Sequence, residues 1–442
     1  MKIETTDIII VGTGASGLFA ALHIPEKYEI LMLTKDVAEH SDSYLAQGGI
    51  CVQRDEDDYD SFMEDTLKAG HYENRKESVD IMIRSSRQVI EELIALGVEF
   101  ATKDGELDYT REGCHSKPRI LFHKDITGEE ITSKLLYVVK NRKNIRILEK
   151  TTMVDLIEED NTCIGVMARD EKGELLAIQA DYTMLASGGI GGLYEHSTNY
   201  PHLTGDALAI AMHHGIKLEN IDYIQIHPTT LYSKKPGRRF LISESVRGEG
   251  GKLYDVHGER FANEILPRDI LTEKIHQQME KDGTFHVWLD MSCLGEETIL
   301  GHFPNIYKRC LEEGYDVTKE WIPVVPAQHY FMGGIHVNSN SRTTMERLYA
   351  VGETSCNGVH GRNRLASNSL LESLVFAKRA ALEIQGFMEN SEETEENRDF
   401  DRLCRESEKF IKREEKNLEE QYKVEILAEI EKERQERCIQ LL

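Results

Sequence analysis

Three glycines near the start of the chain, Gly12, Gly14 and Gly17, have the G-x-G-x-x-G spacing of a dinucleotide-binding turn. An apolar run (residues 8–11) precedes them and a helix-like stretch (15–22) follows, which is the context that this motif requires. Gly12 permits the tight turn, Gly14 lets the backbone approach a pyrophosphate, and Gly17 lets the helix pack against the strand. The pattern predicts a dinucleotide whose phosphates face the N-terminus of that helix.

The ends of three predicted strands bear on which dinucleotide binds. An NAD site usually has an acidic residue after the second strand, whereas this chain has Lys35 there. Small or acidic residues end three other predicted strands, at residues 12–17, 186–189 and 352–353. Ligands of open α/β sheets bind at the carboxyl ends of the strands, and FAD is long enough to need contacts at all three ends. These strand ends favour FAD over a nicotinamide dinucleotide.

Polar clusters containing His, Arg and Glu follow from about residue 220. They occupy residues 225–230, 243–251 and 266–270, between short apolar runs, which is typical of a second domain that closes over a ligand. Taken alone, His227 and His329 fit hydrogen-bonded core histidines, and Arg268 fits a surface ion pair with Asp269. The clusters indicate a candidate site without deciding its chemistry.

The composition narrows the classes of partner. The chain has 442 residues, enough for two or three domains, and its net charge of -25 argues against nucleic acid. The same charge requires that any acidic ligand be drawn in by a local cluster of Arg and His. Eight cysteines without a C-x-x-C pair favour reduced thiols over disulfides or a zinc site. We therefore expect a cytoplasmic protein with no structural metal and no membrane segment.

Hydrophobic periodicity makes two further predictions. Residues 145–148, 154–158 and 163–169 are predicted to be short strands of a small antiparallel insert. From Glu389 onward Glu, Lys and Arg dominate and apolar residues are sparse, which predicts a solvated, weakly amphipathic helix.

Several long motifs in one order give the chain a strong resemblance to a known family. They are residues 46–49 (Ala-Gln-Gly-Gly), 111–116 (Arg-Glu-Gly-Cys-His-Ser), 227–229 (His-Pro-Thr), 243–250 (Ser-Glu-Ser-Val-Arg-Gly-Glu-Gly), 267–269 (Pro-Arg-Asp), 329–334 (His-Tyr-Phe-Met-Gly-Gly) and 361–372 (Gly-Arg-Asn-Arg-Leu-Ala-Ser-Asn-Ser-Leu-Leu-Glu). Over about residues 5–385 the chain resembles the flavoprotein family that holds the flavin subunits of succinate dehydrogenase and fumarate reductase, and within it the members that oxidise L-aspartate.

The resemblance implies an α/β fold in which a Rossmann-like FAD-binding domain is interrupted by an α+β capping domain. The predicted boundaries are 1–220 for the first part of the FAD-binding domain, 221–330 for the capping domain, 331–388 for the second part, and 389–442 for a charged helical tail. The family's usual C-terminal domain has three helices, and this tail is shorter, so we expect at most one or two helices there.

The resemblance also implies a reaction and its alternatives. The leading expectation is FAD-dependent oxidation of L-aspartate to iminosuccinate, with oxygen or fumarate as electron acceptor, in the first step of NAD biosynthesis. Quinolinate synthase is the partner that this role suggests. The enzyme alternative is a fumarate reductase or succinate dehydrogenase flavoprotein subunit docked on an iron–sulfur partner. The non-enzymatic alternative is an FAD-binding scaffold that has lost catalysis.

Site residues are carried over from the family's motifs. His227, His329, Arg364 and Ser243 fall where the family holds substrate carboxylates, Arg268 at its proton-transferring arginine, and Glu112 where the oxidising members have an acid suited to the amino group. The residues predicted to contact FAD are Gly12, Gly14, Ala15, Ser16, Gly17, Lys35, Ser43, Gln47, Gly48, Gly49, Ala186, Gly188, Gly189, Asp206, Glu353, Ser369 and Leu370.

Departures from the family pattern refine these expectations. Covalently flavinylated members carry His five residues before the Gln of the Ala-Gln-Gly-Gly run, and this chain has Asp42 at that position. FAD is therefore expected to bind non-covalently. Cys114 and Pro118 replace residues that are more often Gly and Arg in the aspartate-oxidising members, which affects the predicted shape of that loop.

Overall fold

The computed structural model describes residues 1–390, 399–414 and 418–440. The strands are β1 (Lys2–Thr5), β2 (Ile8–Val11), β3 (Ile30–Leu33), β4 (Ile50–Cys51), β5 (Thr102–Lys103), β6 (Glu106–Leu107), β7 (Ile120–Leu121), β8 (Ile145–Leu148), β9 (Thr152–Glu159), β10 (Thr162–Arg169), β11 (Leu175–Gln179), β12 (Tyr182–Leu185), β13 (Leu218–Glu219), β14 (Ile224–Leu231), β15 (Lys252–Tyr254), β16 (Val287–Asp290), β17 (Ile322–Phe331), β18 (Gly334–His336), β19 (Leu348–Ala350) and β20 (Ser355–Cys356). The α-helices are α1 (Ala15–His23), α2 (Tyr59–Ala69), α3 (Lys76–Ala95), α4 (Thr127–Asn141), α5 (Asp206–His213), α6 (Glu244–Gly248), α7 (Arg268–Asp282), α8 (Glu296–His302), α9 (Pro304–Glu312), α10 (Asn368–Asn390), α11 (Phe400–Glu414) and α12 (Leu418–Gln440).

A five-stranded parallel sheet, in the order β19-β12-β2-β3-β8, forms the centre of the fold. Strands β2 and β3 are buried along their whole length, as expected for a parallel sheet covered on both faces. Helices α1, α4 and α10 belong to the core cluster that includes Ile8 and Ile10, and Ile9 and Val11 belong to the second cluster. Because β2, β12 and β19 are neighbours, the three strand ends predicted from the sequence lie side by side.

The predicted position of β8 is wrong. The sequence pattern placed residues 145–148 in an antiparallel insert, but β8 pairs in parallel with β3 at the edge of the central sheet. The second sheet has the order β1-β11-β10-β9, in which β9, β10 and β11 are antiparallel and β1 is parallel to β11. A strand of four residues carries no signal for its pairing partner, and the intervening helix α4 supplies the crossover that a parallel partner needs.

The segment between the two parts of the central fold has a core of its own. Its sheet runs β14-β17-β16-β15, all antiparallel, and α6 to α9 accompany it. Buried side chains between Leu231 and Val324 form a separate apolar cluster. An α/β fold with an α+β segment inserted in it is the predicted fold class, and it is confirmed. The domain boundaries at 220, 330 and 388 stay predictions.

The charged tail differs from its prediction as a solvated helix. Its described residues form two helices, α11 and α12, and each buries one face against the cluster that includes β9 to β11 and α5. In α12 the buried residues are Leu418, Tyr422, Ile426 and Ile430, which recur at every fourth position and form one narrow stripe. The predicted apolar face is therefore present, but it is buried against the fold and not solvated. No helix in the described ranges is long and apolar enough to span a membrane.

We expect Ile426→Ala to lower the free energy of unfolding by about 2–4 kcal/mol, because it removes a fully buried side chain and leaves a cavity. Val424, on the same helix, is 59% exposed, so Val424→Ala is the matched control and should change stability by less than about 0.5 kcal/mol. Chemical denaturation followed by circular dichroism measures both. Equal unfolding curves for the two variants would contradict the packing of the tail.

Candidate active site

A cleft runs from the carboxyl ends of β2 and β12 to the antiparallel segment. It is lined at one end by the turn before α1 and at the other by residues of the antiparallel segment, among them His227 and Arg268. Ligands of open α/β sheets bind outside the carboxyl ends of the strands, so this cleft is the candidate site.

The turn between β2 and α1 closes one end of the cleft. Gly12 has a φ of +118°, and a Cβ there would lie 2.0 Å from the carbonyl oxygen of Ala186, at the end of β12. A Cβ on Gly17 would lie 2.2 Å from the carbonyl oxygen of Gly12, so α1 packs directly against the turn. Gly14 and Ser16 line the cleft, whereas Ala15 and Gly17 do not. The glycines shape a phosphate-binding turn, with α1 directed at the cleft.

Lys35 and Asp206 line the cleft beyond this turn and are paired with each other. The Lys35 Nζ also donates to Thr204 Oγ1 at 2.9 Å and to the carbonyl oxygen of His202 at 3.1 Å. Thr204 Oγ1 in turn donates to Asp206 at 2.7 Å. The lysine therefore joins the end of β3 to the loop before α5, and Asp206 balances its charge.

The loop of residues 47–49 lies further along the cleft. Gln47, Gly48 and Gly49 all line it, and the Gly49 N–H donates to Ser367 Oγ at 3.1 Å. A Cβ on Gly48 would lie 2.8 Å from Glu112 Oε1. Gln47 Oε1 is buried and has no hydrogen-bond partner within the described part of the chain. A buried acceptor without a partner, on a loop that lines the cleft, is a feature that a polar cofactor ring could satisfy.

Two buried carboxyl groups face the middle of the cleft. Burial raises the pKa of Glu353 to about 8, with a further contribution from Asp42, and burial raises the pKa of Asp42 to about 7. Glu353 accepts the Phe331 N–H at 2.9 Å, and Asp42 accepts the Tyr200 N–H at 2.9 Å. Asp42 Oδ2 has no partner among the described residues, which leaves it for a ligand.

Of the remaining residues that were predicted to contact the cofactor, all but Gly189 line the cleft. Ser43, Ala186, Gly188, Ser369 and Leu370 line the cleft. Ser43 Oγ also accepts the N–H of the first residue of α1 at 3.1 Å. Gly189 does not line the cleft: a Cβ there would lie 2.3 Å from a Glu353 oxygen, so this glycine makes room for the glutamate.

Arg268 lies at the start of α7, and its guanidinium enters the opposite half of the cleft. Its Nε donates to Glu244 Oε2 at 2.6 Å, and its Nη1 donates to Gln225 Oε1 at 2.7 Å. The alternative of a surface ion pair with Asp269 is wrong, because Asp269 pairs with His71 at 2.8 Å. Arg268 is only 7% exposed.

Glu244 is the partner that holds Arg268, and no role was predicted for it. Burial alone would raise the pKa of Glu244, but Arg268 and Arg247 together hold it below its ordinary value. Arg247 lies one turn later on α6, with Nη2 3.7 Å from Glu244 Oε2. Two cations therefore share one carboxylate, and this part of the cleft keeps an excess of positive charge.

Arg364 faces the same space from the loop before α10. Its Nη1 donates to Ser369 Oγ at 2.9 Å, and the guanidinium lies over the ring of Tyr330 at 4.4 Å. Burial, and then the charge of Arg268, lowers the pKa of Arg364 to about 10. Its Nε is buried and unpaired in the residues that the structure describes, so an anion in the cleft would complete its hydrogen bonds.

His227 and His329 pack edge to face, with ring centroids 5.1 Å apart. Burial, and then the charge of Arg268, lowers the pKa of each well below its ordinary value, so both rings are neutral. His227 Nδ1 lies 3.1 Å from the Thr229 carbonyl oxygen and 3.2 Å from the Thr229 nitrogen, so either ring nitrogen can carry the proton. His227 Nε2 has no partner among the described residues and is therefore available to a ligand in the cleft.

Glu112 and Ser243 complete the predicted set, and both line the cleft. Glu112 accepts hydrogen bonds from Ser245 Oγ at 2.7 Å and from Ser367 Oγ at 2.5 Å. Burial, and then the charge of Glu244, raises the pKa of Glu112 despite these two hydroxyls. Ser243 caps α6, and its Oγ accepts the Ser245 N–H at 3.2 Å.

The structure thus brings the six predicted substrate residues to one end of a cleft whose other end holds most of the predicted cofactor residues. Sequence reasoning missed Gln225, Glu244, Tyr330 and Ser367. The first two lie within polar clusters that the sequence marked, but nothing in a linear pattern shows which of their side chains face the cleft.

The cleft fits FAD by its turn at Gly12, by the three strand ends that it joins and by the polar atoms of Gln47 and Asp42 that have no partner in the described residues. No group of three or more His, Cys, Asp or Glu side chains within residues 1–390, 399–414 and 418–440 is placed to hold a metal ion.

Comparisons with known proteins agree with this site. A family model described as an FAD binding domain matches residues 7–370. The L-aspartate oxidase of Clostridium perfringens is 51% identical over 401 residues, covering 90% of this chain and 91% of that protein. The L-aspartate oxidase of Clostridium acetobutylicum is 49% identical over 400 residues, covering 89% and 92%. A solved structure of Escherichia coli quinol fumarate reductase has a TM-score of 0.87 and 27% identity, covering 98% of this chain and 83% of that one.

Proposed function

Because the chain belongs to the FAD-dependent flavoprotein family of the L-aspartate oxidases, we propose how the residues of its cleft carry out that reaction. The enzyme uses FAD to oxidise L-aspartate, a step of NAD biosynthesis. The observation that carries the proposal is the pair of buried nitrogens without partners in the described residues, Arg364 Nε and His227 Nε2, in the same cleft as the buried carboxyl of Glu112.

The two carboxylates of the substrate are bound by the cationic half of the cleft. Arg364 supplies planar donors suited to a carboxylate, and His227 and His329 line the same half of the cleft as neutral groups. The acidic protein as a whole repels a dicarboxylate, so this local charge is what attracts it. Fumarate and succinate present the same two carboxylates and should bind to the same residues.

The ammonium group of aspartate is bound by Glu112. Each oxygen of this carboxylate accepts one hydroxyl and retains a second lone pair for the substrate. An ammonium ion beside it favours the ionised form, which offsets the effect of burial on its pKa. A dicarboxylate without an amino group gains nothing from this residue.

Oxidation to iminosuccinate removes a hydride from Cα and a proton from the ammonium group. Bound FAD supplies the acceptor for the hydride and its two electrons. Residues 12–17, Lys35, Gln47 and Glu353 would hold it, without a covalent bond, because Asp42 replaces the histidine of flavinylated members. We assign the proton transfer to Arg268, which accepts the proton of the ammonium group as its own Nε proton passes to Glu244 Oε2, while Gln225 fixes its Nη1. Both oxygen and fumarate are proposed as acceptors that restore the flavin.

Replacing Glu112 by Gln should reduce kcat/KM for L-aspartate by about 30-fold, because one charge-assisted hydrogen bond of about 2 kcal/mol is lost. The affinity for succinate should stay within about twofold, since succinate has no ammonium group. Steady-state oxidation and succinate titration of the flavin spectrum measure the two effects. Glu106→Gln, at an exposed residue of β6, is the control and should leave both unchanged. Equal losses for the two ligands would contradict the assignment.

Two proposals concern the setting of the enzyme. All eight cysteines are free thiols, which supports a reducing compartment such as the cytoplasm.

Iminosuccinate hydrolyses readily, which supports direct use by quinolinate synthase as the next enzyme.

The proposed function is tested by incubating the purified, FAD-loaded protein with L-aspartate under oxygen. A second incubation contains L-aspartate and fumarate under argon. Formation of oxaloacetate and ammonia after hydrolysis of the imine is the expected result, with hydrogen peroxide or succinate as the second product. Absence of ammonia under both conditions, with FAD bound, would overturn it.

A further inference from the structure

The loop that carries Glu112 lies in close contact with helix α6. A Cβ on Gly113 would lie 2.4 Å from Glu244 Oε1, and a Cβ on Gly248 would lie 3.1 Å from the carbonyl oxygen of Arg111. Both glycines therefore let the two segments approach closely. The contact brings Ser245 onto Glu112, although the two residues are 133 positions apart in the sequence.

Two serine hydroxyls are directed at the Glu112 carboxylate. Ser245 Oγ donates to one oxygen at 2.7 Å, and Ser367 Oγ donates to the other at 2.5 Å. Each hydroxyl also accepts a hydrogen bond: Ser367 Oγ from the Gly49 N–H at 3.1 Å, and Ser245 Oγ from Ser243 Oγ at 3.2 Å. Because a hydroxyl has one hydrogen, these acceptor contacts leave that hydrogen for Glu112.

Burial and the charge of Glu244 oppose the ionisation of Glu112, which makes the two hydroxyls important. Glu244 and Arg247 approach from α6, Arg268 from α7, and the Cys51 thiol from β4. Burial and Glu244 favour the neutral acid, whereas Ser367, Ser245 and Arg268 favour the carboxylate. A protonated Glu112 would carry a hydrogen on an oxygen that must accept a hydrogen bond from the substrate ammonium group. Loss of either hydroxyl would shift this balance toward the form that cannot bind an ammonium group.

Resting on the proposed function, we propose that Ser245 is a positioning residue that, with Ser367, keeps Glu112 as an oriented carboxylate and thereby selects an amino-bearing dicarboxylate over one without the amino group. Ser245 acts through Glu112 and does not itself touch the substrate. Its effect is therefore confined to ligands that carry an ammonium group.

The test compares Ser245→Ala, Ser245→Thr and Ser292→Ala in the FAD-loaded protein. Ser245→Ala should raise KM for L-aspartate about tenfold and move the acidic limb of its kcat/KM profile to higher pH, because Glu112 loses a donor that stabilises its charge. The affinity for succinate should not change. Ser245→Thr should restore the wild-type profile. Ser292 also donates to a carboxylate, Asp290 at 2.7 Å, so Ser292→Ala is the matched control and should resemble the wild type.

A double-mutant cycle gives the sharpest readout. In a Glu112→Gln background, Ser245→Ala should have no further effect on KM for L-aspartate, because the group through which it acts is gone. Additive losses, an unmoved acidic limb, or an equal loss of succinate affinity would overturn the proposal. These outcomes are distinct from failure of the proposed function, in which the wild-type protein itself would not oxidise L-aspartate.

Discussion

Arg268→Leu should lower kcat for L-aspartate by about 10³-fold, the scale of a lost proton-transfer group, while FAD stays bound. Arg268 is buried, and Glu244 and Gln225 fix two of its nitrogens, so the guanidinium is aimed by its surroundings and not by the substrate alone. Leu preserves much of the apolar stem but can neither carry a proton nor donate a hydrogen bond. Glu244 keeps Arg247 as a second cation 3.7 Å away, so the variant should fold.

The measurement is the rate of flavin reduction in a single turnover, with the flavin content of the purified variant as the check on cofactor binding. Asp269→Asn is the control, because Asp269 is the next residue on α7 but pairs with His71 outside the cleft. Near-normal flavin reduction in Arg268→Leu would show that the proton-transfer assignment is wrong.

Arg364→Leu should raise KM for L-aspartate by about 300-fold, since a carboxylate loses two charge-assisted hydrogen bonds worth about 3–4 kcal/mol together. In contrast to Glu112→Gln, this variant should lose succinate affinity by a similar factor, because both ligands share the carboxylate. The guanidinium is buried against Tyr330 with an unpaired Nε, so no water-exposed alternative partner compensates for its loss. Bound FAD should be retained.

Titration of the flavin spectrum with succinate and steady-state kinetics with L-aspartate separate binding from turnover. The matched control is Arg362→Leu, at an exposed arginine two residues earlier in the same loop. A variant with unchanged KM and reduced kcat would assign Arg364 to the chemical step and not to carboxylate binding.

The parts of the fold that the sequence predicted are those that local backbone chemistry decides. Gly12 has a positive φ, which glycine adopts readily, and the apolar run before it predicts a strand. The partner of β8 and the buried face of α12 depend on contacts between distant segments. A four-residue strand does not encode its neighbour, and sparse apolar residues become a packing face only when another surface meets them.

The same distinction applies to the site. Arg268, His227 and Arg364 could be selected because the family's motifs mark their positions. The contact of Glu244 with Arg268 and of Ser245 with Glu112 could not be read from the chain, because each joins segments that the fold alone brings together. Side-chain direction at these positions follows from the packing of α6 against the loop at residues 111–114.

An amino-bearing dicarboxylate should reduce the flavin that this cleft binds. The most direct measurement is anaerobic mixing of the FAD-loaded protein with L-aspartate, and separately with succinate, while flavin absorbance is recorded. We predict bleaching by L-aspartate that is reversed by oxygen or by fumarate, and binding of succinate without comparable bleaching. Bleaching by succinate alone would contradict oxidation of L-aspartate and would assign the chain to the electron-transfer subunits of its family.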